Sequence, residues 1–367
     1  MRKWITVLLI GIMLGTLAVP VAAGDSVATT TELADCEFPI SMEDATGTEV
    51  TLDEPPERIV TTSPSAAQTV WEIGAEDRVV GTTEFAHYLE GAEDRTVVLD
   101  AEGNLIIEEV VDLEPDLVLA PNTTSTEEIS QLRDADLTVY HFGEEETIDD
   151  IFEHTAIVGS LTGECDGAAD TIEWMEEELS IVEEAVEGKT HPGAMYLFFD
   201  FTAGANTFIN EIIETAGAEN LAASAGIEGF EPISEEVVLA EDPEWIILNS
   251  EDPALPESDV LEETTAAQED QFVEVQVEHL NQPAPRTILA ILTLTEAFHP
   301  DAYEAAVEAQ EADDTEDADA DDAMQDDEDV QEVTDDADDD AIPGFGPIVA
   351  LIGMGIGMTS LRFQRSR

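Results

Sequence analysis

The sequence predicts an α/β fold, with two Rossmann-like lobes bridged by one long α-helix. Three observations predict it. Short apolar runs alternate with helix-spaced stretches between residues 58 and 140, as in a parallel sheet covered by helices. Residues 147–187 carry helical spacing with no strand signal. A second alternation of strand and helix begins near residue 195.

Taken in order, Asp44-Ala45-Thr46-Gly47 reads as a turn between two short strands, the second over 49–52. Pro55-Pro56 breaks the chain, and Arg58-Ile59-Val60 starts a buried strand. Ser63-Pro64-Ser65 has the form of a helix cap with an early proline, and the helix runs to Gly74. A strand follows at 78–81, a helix over 104–113, a strand at 116–120, a helix over 126–133 and a strand at 137–140. Over 147–187 the apolar positions Ile148, Ile151, Phe152, Val158, Leu161, Trp174, Leu179, Val182 and Val186 fit one long helix, with a break signalled near 163–167 by two glycines. The second cycle comprises a strand at 195–199, a helix over 206–215 ended by Gly217, a short helix over 235–240 and a strand at 245–248. A last helix begins near 286 and runs into an acidic stretch. The organisation predicted is a lobe over 37–146, a linker helix over 147–188 and a second lobe over 189–310. Lobes joined in this way move little against each other, unlike those joined by flexible strand hinges.

The chain has 87 acidic residues against 11 Lys and Arg, a formal charge of −76. Nucleic acid is excluded as a partner, because phosphate binding needs cationic patches. Disorder is excluded for the body, because apolar runs recur to about residue 310. Life in concentrated salt accounts for the charge: at about 1 M salt the screening length is about 3 Å, so self-repulsion fades while carboxylates keep the surface hydrated. The body holds only six basic residues, namely Arg58, Arg78, Arg95, Arg133, Lys189 and Arg286. No Gly-rich dinucleotide turn, P-loop, G-x-S-x-G elbow or H-E-x-x-H pair appears, which argues against the common enzyme classes. Nor are there the internal repeats expected of an adhesive surface protein, so a surface enzyme or structural protein is the weaker alternative.

Both ends point outward. Arg2 and Lys3, an apolar run over 5–19 and Val21-Ala22-Ala23 form a signal peptide over 1–23, to be removed by signal peptidase. Residues 311–340 carry 18 acidic side chains with no apolar period, so 311–341 is expected to be a disordered, solvated spacer. Pro343-Gly344-Phe345, an apolar stretch over 348–361 and Arg362, Arg365 and Arg367 follow. This order over 342–367 resembles the PGF-CTERM sorting signal of haloarchaeal surface proteins. The resemblance implies cleavage by an archaeosortase, a lipid anchor and a protein tethered on the extracellular face of the membrane; a plain C-terminal membrane helix gives the same topology. In an exported chain two cysteines pair readily, so a Cys36–Cys165 disulfide is expected. Asn122-Thr123-Thr124 is a glycosylation sequon.

Several segments now match one family in order. Asp44-Ala45-Thr46-Gly47 with Pro56-Glu57-Arg58-Ile59-Val60, Glu72-Ile73-Gly74-Ala75-Glu76-Asp77-Arg78-Val79-Val80-Gly81, and Leu113-Glu114-Pro115-Asp116-Leu117-Val118-Leu119 are similar to the first lobe of periplasmic binding proteins for cobalamin, haem and ferric siderophores. Gly159-Ser160-Leu161-Thr162-Gly163 falls where that family's backbone helix begins. Thr202-Ala203-Gly204-Ala205-Asn206-Thr207-Phe208, Ala216-Gly217-Ala218-Glu219-Asn220, Pro285-Arg286 and Phe298-His299-Pro300 match its second lobe and closing helix. The resemblance spans roughly residues 40–303. It implies a monomeric solute-binding protein of an ABC importer, working with a permease and its ATPase and carrying no resident cofactor. It also implies one glutamate per lobe docking on the permease, here Glu108 and Glu236, with Glu109 and Glu235 as neighbours able to serve instead.

The ligand site is expected between the lobes, at loops after strand ends. Bulky corrinoids and porphyrins need flat apolar contacts. The candidates are Phe85, His87 and Tyr88 after the second strand of the first lobe, Phe142 after its last, and Phe201 and Phe230 in the second lobe, with Ser63 and Ser65 on an early loop; ordinary core packing is the competing role for each aromatic. No metal-ligating set is assigned among the six histidines, although His87 and His141 converging would leave room for bare metal. Anionic ferric catecholates call for clustered Arg or Lys, which this body lacks. A cobalt corrinoid or a hydroxamate iron chelate fits better, with cobalamin placed first and haem as the alternative.

Overall fold

The structure is a computed structural model and describes residues 36–251 and 258–325. The signal peptide and the segment with Pro343, Gly344 and Phe345 lie outside those residues. The chain divides into two compact units, Met1–Asp314 and Thr315–Arg367. The described part of the second is the end of a helix, and the architecture below belongs to the first.

The first lobe opens on a hairpin, β1 (Ile40–Glu43) against β2 (Glu49–Leu52). Its turn is built on Asp44, whose buried carboxylate accepts N–H bonds from Thr46, Thr48 and His141 and pairs with Arg133. Burial alone would raise this carboxyl, but the bonds it accepts outweigh that and hold it below its ordinary value. The lobe continues through β3 (Ile59–Thr61), α1 (Pro64–Glu72), β4 (Val79–Thr82), β5 (Thr96–Val97), α2 (Ile107–Asp112), β6 (Leu117–Ala120), α3 (Thr126–Asp134) and β7 (Val139–His141). The strands form an all-parallel sheet in the order β5-β4-β3-β6-β7. Every residue of β3, β6 and β7 is buried, as expected of a sheet covered on both faces. α2 begins later than residue 104, because Leu105 bridges Leu99 instead.

Two helices then cross between the lobes, α4 (Ile148–Thr162) and α5 (Cys165–Val186). Thr147 and Asp150 form a capping box at the start of α4, and Gly163 ends it at φ +81. The single helix expected over 147–188 is therefore divided within the signalled break. α4 folds back along α5, with Gly159 against Ala168. Both span the molecule. Val158, Leu161 and Ala168 pack in the first-lobe core, while Ile148, Ile151, Met175 and Val182 pack in the second-lobe core. At the first-lobe end Gly167 meets the Ile73 carbonyl so closely that a Cβ would lie 2.1 Å from it. The Cys36–Cys165 disulfide fastens the start of the described chain to the head of α5.

The second lobe comprises β8 (Gly193–Tyr196), β9 (Phe201–Ala203), α6 (Phe208–Thr215), β10 (Glu219–Asn220), α7 (Leu221–Ser224), β11 (Phe230–Pro232), α8 (Glu235–Glu241), β12 (Trp245–Asn249), α9 (Thr265–Glu269), β13 (Phe272–Val275), α10 (Val277–Leu280) and α11 (Thr287–Phe298). Its sheet is parallel, in the order β10-β8-β12-β13, and β9 with β11 forms a separate antiparallel pair. The strand expected over 195–199 stops at Tyr196, because the chain reverses at Phe199 with φ +50. The closing helix α12 (Pro300–Gln325) reaches well into the stretch expected to be disordered over 311–341. Residues 301–325 contain no Gly or Pro and eight Ala, so nothing in them breaks the helix and alanine favours its continuation. Among the described residues no helix is long and apolar enough to cross a membrane.

Candidate functional site

In parallel α/β lobes the usable crevice lies beyond the carboxyl ends of the strands, where the strand order reverses. That point falls between β3 and β6 in the first lobe and between β8 and β12 in the second. Hydrogen bonds fix how these edges meet. Tyr88, on the loop after β4, donates its hydroxyl to Gln282 Oε1 at 2.6 Å, beyond α10. Gln68 on α1 donates to the Glu278 carbonyl on α10 at 3.1 Å. Helix α1 and the loop leaving the carboxyl end of β4 thus touch α10 and the loop after it, which leave the carboxyl end of β13, so the carboxyl edges of the two sheets lie on the side where the lobes meet.

Four large apolar side chains stand exposed among the described residues: Phe85 at 58%, Phe199 at 59%, Phe201 at 47% and Phe230 at 51%. All four lie on segments beyond the sheet edges that meet. Phe85 follows β4, Phe199 and Phe201 follow β8, and Phe230 is on the strand paired with β9. In that pair Phe230 opposes Ala203 and Pro232 opposes Phe201, so the two rings are diagonal neighbours on one face. Phe208 backs Phe230 at 6.2 Å between ring centres, and Phe198 lies 4.6 Å from Phe199. The result is two exposed phenylalanine pairs, in each of which a more exposed ring is backed by a less exposed one. Tyr196 is buried and accepts from Asn249 at 3.0 Å and Asn281 at 2.8 Å, which ties the ends of β8 and β12 to the loop before α11.

The structure sorts the sequence candidates. Phe85, Phe201 and Phe230 are exposed on segments beyond the carboxyl ends of the strands, and His87 is exposed two positions after Phe85. Phe199 is an addition, hidden in the sequence by an apolar run that reads as strand. Phe142 is 4% exposed and stacks on His154 at 4.0 Å, so its ring is largely covered by the protein. Tyr88 is half-buried and spent on the seam. Ser63 and Ser65 sit on the expected loop but are buried; their hydroxyls bond each other, and Ser63 caps α1. His87 and His141 do not converge. They leave β4 and β7, three strand spacings or about 14 Å apart, and His141 is buried. Among the described residues no three His, Cys, Asp or Glu side chains come together as a metal site.

The cations are accounted for as well. Arg58 donates to the Leu113 carbonyl, Arg78 pairs with Glu164, Arg95 donates to the Glu76 carbonyl, Arg133 pairs with Asp44 and Arg286 pairs with Glu72. Lys189 follows α5 and precedes β8, at the opposite edge of the second sheet. Each described Arg is thus committed within the fold, and the groove edges present aromatic faces, neutral polar groups and carboxylates. Such a surface suits a large ligand of little or positive charge and repels a polyanion.

Glu108 and Glu236 lie exposed in the first turns of α2 and α8. Both helices lead back to the amino ends of the next strands, so both first turns lie toward the groove edge of their lobe. Glu109 is exposed beside Glu108, whereas Glu235 accepts from Ser258 at 2.6 Å. Glu236 is therefore the freer of its pair.

The family model described as "Periplasmic binding protein" matches residues 59–277. A cobalamin-binding protein of Halobacterium salinarum is 41% identical over 277 residues, covering 72% of this chain and 75% of the relative. An uncharacterized ABC transporter substrate-binding lipoprotein of Bacillus subtilis is 26% identical over 314 residues, covering 82% and 98%. Among solved structures, the periplasmic vitamin B12-binding protein BtuF of Vibrio cholerae superposes with a TM-score of 0.60 at 21% identity, covering 69% of this chain and 98% of that one.

Proposed function

The chain belongs to the periplasmic binding protein family, and from that premise we propose that it is the solute-binding component of an ABC importer whose cargo is a cobalt corrinoid. One observation carries the choice of cargo: the segments beyond the facing strand ends carry exposed phenylalanines, while every described arginine is already paired or hydrogen-bonded within the fold. A corrin ring is broad, largely apolar on its faces and weakly charged. The Halobacterium relative, with its cobalamin-binding name, supports the same reading. Ferric catecholates carry several negative charges and would meet carboxylates with no counter-charge.

The cobalt belongs to the cargo and needs no ligand from this chain. The protein supplies shape, aromatic contact and exclusion of water. Glu108 and Glu236 are the proposed docking groups for permease arginines, where desolvation on contact would restore the attraction that salt screens in solution. We place the protein on the outer face of the membrane, released from its leader by signal peptidase and held there by the C-terminal segment after archaeosortase processing.

Calorimetric titration in multimolar KCl tests the reading. Cobalamin is expected to bind one to one with micromolar or tighter affinity, about −8 kcal/mol or better. Haemin and a ferric hydroxamate are expected to bind at least about tenfold more weakly, a difference of about 1.4 kcal/mol. Failure of cobalamin to bind, or tighter binding of either competitor, would overturn the choice of cargo.

A further inference from the structure

Gln68 is a fully buried amide at the contact between the lobes. Its Nε2 donates to the Tyr88 hydroxyl at 2.8 Å and to the Glu278 carbonyl at 3.1 Å, and its Oε1 accepts the Arg286 N–H at 2.8 Å. Both amide hydrogens and one of the two oxygen lone pairs are thus used. Tyr88 in turn donates a hydrogen bond from its hydroxyl to Gln282 Oε1 at 2.6 Å. Arg286 Nε donates to Glu72 at 2.7 Å, and its guanidinium lies 5.9 Å from the centre of the Tyr88 ring. Gln68, Glu72 and Tyr88 belong to the first lobe; Glu278, Gln282 and Arg286 belong to the second. Four of these hydrogen bonds therefore cross between lobes, and they lie on the side where the sheet edges meet.

Such a network has one geometry. A rotation of one lobe by a few degrees would lengthen several bonds together and leave a buried amide unpaired, which costs far more than a weakened surface contact. The α4–α5 hairpin joins the lobes, but it does not by itself define how far apart the groove edges stand. The seam acts directly at those edges.

We propose that Gln68, Tyr88, Gln282 and the Glu72–Arg286 pair form a strut that fixes the groove width, so that Tyr88 and Gln68 serve as positioning residues for the ligand and not as ligand contacts. The proposal rests on the corrinoid reading for the identity of the ligand, while the strut itself is independent of it. A rigid, bulky guest gains from a groove already set to its width, because no binding free energy is spent on closing the lobes.

The test uses three variants in the oxidised protein: Tyr88→Phe, Arg286→Glu, and the exchange Glu72→Arg with Arg286→Glu. Nitroxide labels on Asp134→Cys and Glu269→Cys, both exposed and one in each lobe, report the distance between lobes by pulsed electron resonance without ligand. The parent is expected to give one narrow distribution, Arg286→Glu and Tyr88→Phe broader ones, and the exchange a narrow one again. Cobalamin affinity should fall about three- to tenfold in the two broadened variants, in line with the lost fraction of binding-ready molecules, and recover in the exchange. Tyr88→Phe keeps the ring and removes only the hydroxyl, so it decides the matter if Arg286→Glu fails to fold. Distributions as narrow as the parent's in both single variants would overturn the strut. Broadened distributions with unchanged affinity would overturn its role in binding. If the parent binds no cobalamin, the choice of cargo falls, and the distance measurement still decides whether the strut exists.

Discussion

Replacing Phe201 and Phe230 together by alanine is expected to weaken cobalamin binding about a hundredfold or more, with the melting temperature lowered by only a few degrees. The two rings are 47% and 51% exposed and share one face of the β9–β11 pair. An aromatic side chain offers roughly 200 Å2, so about 100 Å2 of each ring is free for a ligand to cover. At about 25 cal/mol per Å2 that is roughly 2.5 kcal/mol per ring. A hundredfold loss corresponds to about 2.7 kcal/mol, so the pair carries it even if about a third of the contact is replaced by neighbours. Stability suffers little because the lost surface is largely the part already in water. Phe208, 8% exposed behind Phe230, is the contrasting case, since its removal would open a core. Calorimetry and thermal melting of the double variant in the same salt check both halves. Unchanged affinity would move the ligand off these rings.

The second large effect concerns the disulfide. Reducing Cys36–Cys165, or replacing both residues by serine, is expected to lower the melting temperature by about 10 °C or more. The bond joins residues 129 apart in sequence. A loop of that length gives up about 5 kcal/mol of chain entropy in the unfolded state by the loop-closure relation, and each kcal/mol is worth about 2–4 °C in a body of this size. The effect is largely entropic, so molar salt does not screen it. The bond also holds the segment ahead of β1 against the head of α5, where Gly167 packs on Ile73. Scanning calorimetry with and without reductant measures the difference. Melting points within about 3 °C of each other would show that the unfolded chain is constrained by other means.

Much of the architecture was legible because the lobes obey simple period rules. Continuous apolar runs such as Leu117-Val118-Leu119-Ala120 became fully buried central strands. Ser63 opened a helix where its cap indicates, and Gly163 ended one within the signalled break, in the left-handed conformation. The bridge was readable as helix but not as a hairpin, since only packing shows that α4 lies back along α5. At the groove, sequence could place aromatics after strand ends but not say what covers them. Phe142 is covered by His154, twelve positions on, and Tyr88 is tied to Gln282, 194 residues away. The second is a tertiary relation that no local pattern encodes. Phe199 escaped for the opposite reason: Met195-Tyr196-Leu197-Phe198-Phe199 is a good strand by composition, yet the chain turns at a phenylalanine in a conformation that favours glycine. β13 was equally hidden, being four residues with Glu274 exposed between buried Val273 and Val275. The acidic surface had a further cost. Among so many carboxylates, sequence position alone put Glu236 ahead of Glu235; the bond that Glu235 accepts from Ser258 adds a structural difference between them.

The central claim is that a bulky, flat guest sits between the facing sheet edges with its broad side on phenylalanine. A crystal structure of the protein grown with cobalamin in concentrated KCl tests it most directly. The expected density is a single corrin ring between the lobes, in van der Waals contact with Phe201 and Phe230 and with Phe85 on the facing edge. An empty groove at saturating cobalamin, or a corrin bound anywhere else on the surface, would contradict it.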